Sequence, residues 1–133
     1  MSAASSSPQA CERVVREFLD AWMGRDLEVI ARNFAPNAVY HNVPVAPIRG
    51  IEGVRKIFQT FLDLFPDARL EIISLASAPN LVIAERVDHF TLHDGRKIKL
   101  PVTGVFVLEN GLIQRFSDYF DLGDWERQSG IRL

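Results

Sequence analysis

The first part of the chain has the spacing of apolar residues that is typical of amphipathic helices. Apolar side chains recur every three or four positions between Pro8 and Gly24, and Ser7 is placed to cap such a helix. Asp26 can cap a second, shorter helix, which we expect to end near Pro36. The pattern therefore predicts two consecutive helices, the second of them short.

A short strand, a loop and a third helix follow. Ala38–Val43 alternates as a strand does, and residues 43–50 contain two prolines and a glycine typical of a loop. Ile51–Phe65 returns to helical spacing, and Pro66 ends it.

The second half of the chain changes to runs rich in β-branched and apolar residues. Turn-forming residues separate the runs: Pro79-Asn80, the segment 93–95 and Asn110-Gly111. The predicted strands are Leu70–Ala78, Leu81–Leu92, Lys97–Leu108 and Leu112–Leu122. Helices followed by an antiparallel meander indicate an α+β fold, in which a curved sheet wraps over the helices and leaves a pocket between them.

Charged residues occur on the apolar face of two of these strands. Because side chains alternate along a strand, Arg86 and Asp88 share a face with apolar neighbours, and so does Asp118 on the last strand. The apolar neighbours are Val82, Ala84, Phe90 and Leu92 in one strand, and Leu112, Phe116 and Phe120 in the other. The sequence therefore predicts two carboxylates and a guanidinium inside the protein.

Buried charges are costly unless they are paired, and two aspartates around one arginine would pair them. For Arg86 and Asp88 alone, a purely structural ion cluster is the simpler interpretation. Asp118 adds a second carboxylate, which favours keeping one carboxyl protonated and the other ionised, as acid–base catalysis requires. Tyr40 and Asn42, on one face of the first strand, could hold a water.

Composition limits the functions open to the chain. The 133 residues are 47% hydrophobic and carry 15 basic and 17 acidic side chains, a net charge of −2 that argues against a nucleic-acid partner. We expect a flexible tail at residues 1–7, a single domain at 8–133, no membrane segment and a cytoplasmic location. His41, His89 and His93 are scattered over outer faces and a turn, so no metal site is expected.

Four short segments resemble the limonene-1,2-epoxide hydrolase family. They are YHNVP at 40–44, ERVD at 85–88, GVF at 104–106 and DYFD at 118–121, in the order and spacing of that family. The resemblance implies a cone-like α+β fold of the nuclear-transport-factor type, with N-terminal helices packed in the concave face of a curved, mainly antiparallel mixed sheet.

The resemblance also implies roles for the polar residues. Asp118 would be the general base acting on a water that Tyr40 and Asn42 also hold. Asp88 would be the general acid that protonates the epoxide oxygen, and Arg86 would bridge the two carboxylates. Water would attack in one step to give a vicinal diol, with no cofactor.

An apolar substrate pocket and a homodimer are further implications. Each pocket candidate, taken singly, could equally be an ordinary core residue. The candidates for contact with a small apolar epoxide are Leu19, Trp22, Phe90, Leu100, Val102, Phe120 and Trp125. Apolar residues on the outer face of the sheet offer a surface for dimerisation: Ile83, Val87, Val105 and Val107.

Other functions on the same fold remain alternatives. A ketosteroid-isomerase-like enzyme would need an oxyanion-binding Tyr on the first helix, which has none, and a polyketide cyclase would not need the aspartate–arginine set. A non-catalytic module that binds a small ligand would explain the pocket but not two carboxylates pointing into it.

Overall fold

The computed structural model describes residues 7–133 as four helices and one six-stranded sheet. The helices are α1 (Pro8–Met23), α2 (Leu27–Arg32), α3 (Ile51–Leu64) and α4 (Leu122–Ser129). The strands are β1 (Phe34–Asn42), β2 (Ile48–Arg49), β3 (Asp67–Ala78), β4 (Leu81–Thr91), β5 (Lys97–Glu109) and β6 (Leu112–Tyr119). Apart from Ser7, the predicted tail lies outside the described residues.

Side-chain caps start the first two helices as the sequence predicts. The Ser7 hydroxyl accepts a hydrogen bond from the amide of Ala10 at 3.2 Å, and an Asp26 carboxylate oxygen accepts one from Val29 at 3.2 Å. Among residues 7–133, none of the helices is long and apolar enough to cross a membrane.

The sheet has the strand order β2-β1-β6-β5-β4-β3. Strands β3 to β6 form the predicted antiparallel meander, whereas β1 lies parallel to β6 and makes the sheet mixed. The helices pack against one face of this curved sheet, so the predicted α+β architecture is confirmed.

Strand β1 is longer than predicted. It begins at Phe34 rather than Ala38, and Pro36 lies inside it, where pairing with β6 is interrupted between Phe34 and Val39. A strand tolerates proline at such an irregularity because no ladder hydrogen bond is lost there. Ile48–Arg49, in the predicted loop, forms the short strand β2 against β1.

The predicted alternation of β6 is wrong at the start of the strand, because the strand contains a bulge. Val107 pairs with Arg115 but Leu108 pairs with Ile113, so β6 contains one additional residue at this point. The additional residue reverses which side chains at the start of the strand point to the buried face. Ile113 is therefore buried and Leu112 only half-buried, contrary to the expectation for Leu112.

The last predicted strand is also too long. Strand β6 ends at Tyr119, and the helix α4 follows, capped by Asp121, whose carboxylate accepts a hydrogen bond from the amide of Asp124 at 3.0 Å. Helix α4 is short and mostly polar, so its sequence has no hydrophobic periodicity that would predict a helix.

Aromatic rings fill the space between the helices and the sheet. Phe18 on α1 lies at the centre, with four rings meeting it at steep angles and centroid separations of 5.3–6.0 Å. These rings are Phe34, Phe58, Phe106 and Phe116.

Candidate active site

The register of three neighbouring strands brings the predicted charges together. Gly104 on β5 lies between Ala84 on β4 and Asp118 on β6, and Arg86 follows Ala84 on the same face of β4. Adjacent strands are about 4.8 Å apart, so a side chain from β4 must cross β5 to reach β6. Because Gly104 has no side chain, the Arg86 guanidinium can lie across β5.

Arg86 binds both aspartates in a forked geometry. Its Nε and Nη2 donate to the two carboxylate oxygens of Asp88 at 3.0 and 2.9 Å. Its Nη1 and Nη2 donate to the two oxygens of Asp118 at 3.0 and 2.9 Å. Four of the five guanidinium N–H bonds are thereby used, and the two carboxyl groups are fixed with respect to each other.

This charged cluster (Arg86, Asp88 and Asp118) is removed from solvent. The side chains are 0%, 3% and 5% exposed, respectively. With both carboxyls ionised the cluster carries one excess negative charge, which is unfavourable in a medium of low dielectric constant. Binding one proton would neutralise it.

The pKa values follow from this environment. Burial raises the pKa of Asp118, the Arg86 charge and hydrogen bonds oppose that rise, and the charge of Asp88 adds to it, leaving the pKa above its usual range. For Arg86, burial lowers the pKa, but Asp118 and Asp88 outweigh it and raise the pKa, so the guanidinium stays charged. Asp118 therefore keeps its proton to higher pH than an isolated aspartic acid does.

Tyr40 is held beside the cluster by aromatic stacking. Its ring lies between those of Phe58 and Phe116, with centroids 5.2 and 4.9 Å away and planes within 13° and 12° of parallel. Phe116 stacks in turn on Phe106 at 4.2 Å. These four rings (Phe58, Tyr40, Phe116 and Phe106) form an aromatic column, and the Arg86 guanidinium carbon lies 5.9 Å from the centroid of the Phe116 ring.

The Tyr40 hydroxyl is a neutral hydrogen-bonding group. Burial, and next the charge of Asp118, raise the pKa of Tyr40 well above its usual range, so the phenol keeps its proton. It donates to Asn42 Oδ1 at 3.3 Å. The phenol oxygen then remains able to accept, and the Asn42 amide nitrogen able to donate, as a bound water would require.

These polar groups share one mainly apolar cavity. Tyr40, Asn42, Asp88 and Asp118 line it, whereas Arg86 lies behind the carboxylates. The predicted contact residues that line it are Trp22, Phe90, Leu100, Val102, Phe120 and Trp125. Leu19 does not line the cavity: it is buried in the core on α1.

Sequence reasoning missed three lining residues. Phe61 lies in the last turn of α3, and Phe65 is the residue that follows the helix. Their separation of four positions, on one face of the predicted helix Ile51–Phe65, could have identified them. Leu133, the last residue of the chain, carried no such signal.

The cavity is narrow and opens to solvent. It encloses about 400 Å³ of empty space, its mouth included, which is in the range of small-ligand sites. Among residues 7–133, no cluster of three or more His, Cys, Asp or Glu side chains could hold a metal ion.

Gly104→Ala tests whether the charged cluster requires a residue without a side chain at this position of β5. A Cβ at this position would lie 2.5 Å from Arg86 Nη1 and 2.7 Å from Asp118 Oδ1, so the ion pairs must shift. We expect the free energy of unfolding, measured with urea, to fall by about 1–3 kcal/mol. Gly123→Ala is the control: its Cβ would meet the Arg127 side chain at 3.1 Å, and stability should change by less than about 1 kcal/mol. Equal stability of Gly104→Ala and the wild type would contradict this account.

The raised pKa of Asp118 predicts how stability depends on pH. In the unfolded chain the carboxyl loses its proton near its usual value of 3.8, whereas the folded protein keeps it to higher pH. Over that interval the folded state holds more protons, so its contribution to the free energy of unfolding falls as pH rises. Asp118→Asn should flatten this fall above about pH 4 in urea titrations. Asp20→Asn, at an exposed site on α1, should not. Parallel curves for Asp118→Asn and the wild type would exclude the proposed burial effect.

Comparison with known proteins shows which family the chain resembles. The SnoaL-like domain family matches residues 15–116, more than three quarters of the chain. An LEH-like epoxide hydrolase from M. tuberculosis is 24% identical, with 91% of this chain and 90% of that chain covered and a TM-score of 0.82.

Two other solved structures are similar to the same extent. A candidate polyketide cyclase from Xanthomonas campestris pv. campestris is 20% identical, covering 91% of this chain and 97% of that one, with a TM-score of 0.84. A protein with a ketosteroid isomerase-like fold from Catenulispora acidiphila is 19% identical, covering 89% and 92%, with a TM-score of 0.78. At these identities the likenesses show a shared fold, on which different activities occur. The match over most of its length shows that the chain belongs to the SnoaL-like domain family.

Proposed function

We propose that this protein is an epoxide hydrolase that needs no cofactor and converts a small apolar epoxide into a vicinal diol. The observation that carries the proposal is the pair of carboxyl groups, bridged by one buried arginine, in the wall of an apolar cavity. An epoxide needs two groups to open: one to activate water and one to protonate the leaving oxygen. The similarity to an LEH-like epoxide hydrolase supports the same reaction.

In the proposed reaction, the reactive form of the cluster has its one proton on Asp88, and the ionised carboxylate of Asp118 takes a proton from a water that Tyr40 and Asn42 position. The water oxygen attacks one ring carbon, the bond from that carbon to the epoxide oxygen breaks, and Asp88 donates its proton to that oxygen. Three bonds form and three break in one step, and no covalent enzyme intermediate forms. The product carries both hydroxyl groups.

The cluster holds one proton before and after turnover, so the enzyme returns to its starting state without exchanging a proton with solvent. Asp88 gives its proton to the product while Asp118 gains one from water, so only the location of the proton changes. Because Arg86 contacts both carboxyls at 2.9–3.0 Å, either aspartate can be the ionised partner of the guanidinium. Transfer of one proton between the two carboxyls restores the starting state.

Cyclase and isomerase activities on the same scaffold receive less support from the site. The chain has no Tyr in α1 to bind an oxyanion, and Tyr40 donates to Asn42. Neither activity needs a guanidinium that fixes two carboxyls together. A module that only binds a ligand would carry the unfavourable burial of three charges without using them.

The roles of the two aspartates are tested with Asp118→Asn and Asp88→Asn, assayed for diol formation from limonene oxide and cyclohexene oxide. Each amide keeps the shape but cannot exchange the proton, so kcat should fall at least about 10²-fold in both variants. Asp20→Asn should match the wild type. Turnover retained in Asp118→Asn would refute its role as the base, and a wild type that hydrolyses none of a panel of epoxides would refute the proposed function.

The one-step route is followed in the same assay by a single turnover in water enriched in heavy oxygen. The label should enter the diol and neither aspartate, as read by mass spectrometry of the product and of peptides. Label in Asp118 or Asp88 would indicate an enzyme ester instead.

We also propose that two copies associate through the outer face of the sheet. Large apolar side chains are exposed there, Ile73 by 53%, Ile83 by 39% and Tyr119 by 48%, and Val87, Val105 and Val107 are only partly buried. Sedimentation velocity should give a dimer for the wild type and a monomer for Ile83→Glu, with the exposed helix variant Arg13→Glu still dimeric. A monomeric wild type would contradict this proposal. The cytoplasmic location stays a prediction.

A further inference from the structure

Helix α4 places Trp125 in the wall of the cavity. The residue is 5% exposed, and its indole Nε1 is buried without a hydrogen-bond partner. Within the described part of the chain, this is the single buried side-chain nitrogen or oxygen that lacks one. A buried donor without an acceptor is unfavourable, and this one belongs to a residue that lines the cavity.

The protein around the indole offers it no strong acceptor. Phe65 and Phe90 meet Trp125 almost at right angles, with ring centroids 5.8 and 6.3 Å away. An aromatic ring accepts an N–H bond only weakly. The nearby Ser129 hydroxyl donates to the backbone oxygen of Trp125 at 2.7 Å and does not bind the indole nitrogen.

Every other buried polar side chain of the cavity already has a partner. Asp88 and Asp118 accept from Arg86, and Tyr40 donates to Asn42. In the proposed reaction the epoxide oxygen receives its proton from Asp88. The indole N–H is the donor left over, and a small shift of the aromatic side chains around it would let a second oxygen, on another part of the substrate, reach it.

We propose that Trp125 is a specificity-determining residue whose Nε1–H donates to an acceptor oxygen on the substrate, away from the epoxide ring. The inference rests on the proposed function and narrows its substrate class. The preferred substrate is a small, mainly apolar epoxide with one ketone, ether or ester oxygen. A purely hydrocarbon epoxide fits the same walls but leaves the indole unpaired, and a site built for a hydrogen bond discriminates against such a ligand.

Binding is tested first, without any reaction. The chain has two tryptophans, so ¹⁵N-labelled indole gives two N–H signals in a proton–nitrogen NMR spectrum, and Trp125→Phe assigns them. The protein is titrated with cyclohexanone and with methylenecyclohexane, which differ only in C=O against C=CH₂. The ketone should move the Trp125 proton downfield, and the hydrocarbon should not.

Turnover is tested next with pairs of epoxides. In each pair a carbonyl placed one to four bonds from the epoxide is compared with its C=CH₂ isostere. The wild type should prefer the best-placed ketone by about tenfold in kcat/KM, largely through KM, since the contact is made equally in the ground and transition states. Trp125→Phe should lose this preference while it still hydrolyses the hydrocarbon partner.

Two controls separate the hydrogen bond from the shape of the wall. Trp22→Phe removes the other indole that lines the cavity and should keep the preference. In the Trp22→Phe variant, the indole of Trp125 is then replaced by its sulfur isostere, benzothiophene, which keeps the shape and removes only the N–H donor. This replacement should abolish the preference for the ketone, and it gives the test even where Trp125→Phe fails to fold.

The outcomes distinguish this inference from the proposed function. An indole shift with ketones, but no hydrolysis of any epoxide, would keep the donor role and refute the hydrolase. Hydrolysis without any preference, and no ligand-dependent shift, would refute the role of Trp125 and indicate that the N–H is satisfied by the Phe65 or Phe90 ring. Equal loss of the preference in Trp22→Phe and Trp125→Phe would also refute it.

Discussion

A guanidinium with no solvent contact, held between two carboxylates, is the constraint on which the rest of the site depends. Arg86 extends from β4 across β5 to β6, so a single side chain fixes the relative positions of three strands. That path requires a residue without a Cβ at position 104, since even a methyl group there would meet both Arg86 and Asp118. The cluster therefore determines a sequence choice on a strand that contributes no charge to it.

A buried ion cluster is weak evidence for stability, because desolvation offsets the attraction between its charges. Apolar residues of the same volume often serve a fold equally well. In the proposed reaction, what only the cluster supplies is a proton that can move between two fixed carboxyl groups beside an apolar space. The placement of Asp88 and Asp118 in the cavity wall, with Arg86 behind them, is the arrangement expected when that proton is used.

Strand alternation was sufficient to predict the charged cluster, because the part of β4 around Arg86 and Asp88 has no bulge. The same rule placed Asp118 correctly but failed for Leu112, since one additional residue in β6 reverses the faces at its start. Helix α4 has too few apolar residues for its sequence pattern to predict a helix. Trp125 could therefore be placed only after the last strand, and not on a helix. Its unpartnered nitrogen depends on the packing of α3 and β4, which local patterns do not encode.

The aromatic column joins the hydrophobic core to the chemistry. Tyr40 owes the position of its hydroxyl to the rings of Phe58 and Phe116 on either side, and these rings also pack against Phe18 at the centre of the core. The packing of the core and the position of the Tyr40 hydroxyl thus depend on the same contacts. Redesign of this core for thermal stability would also move that hydroxyl relative to the charged cluster.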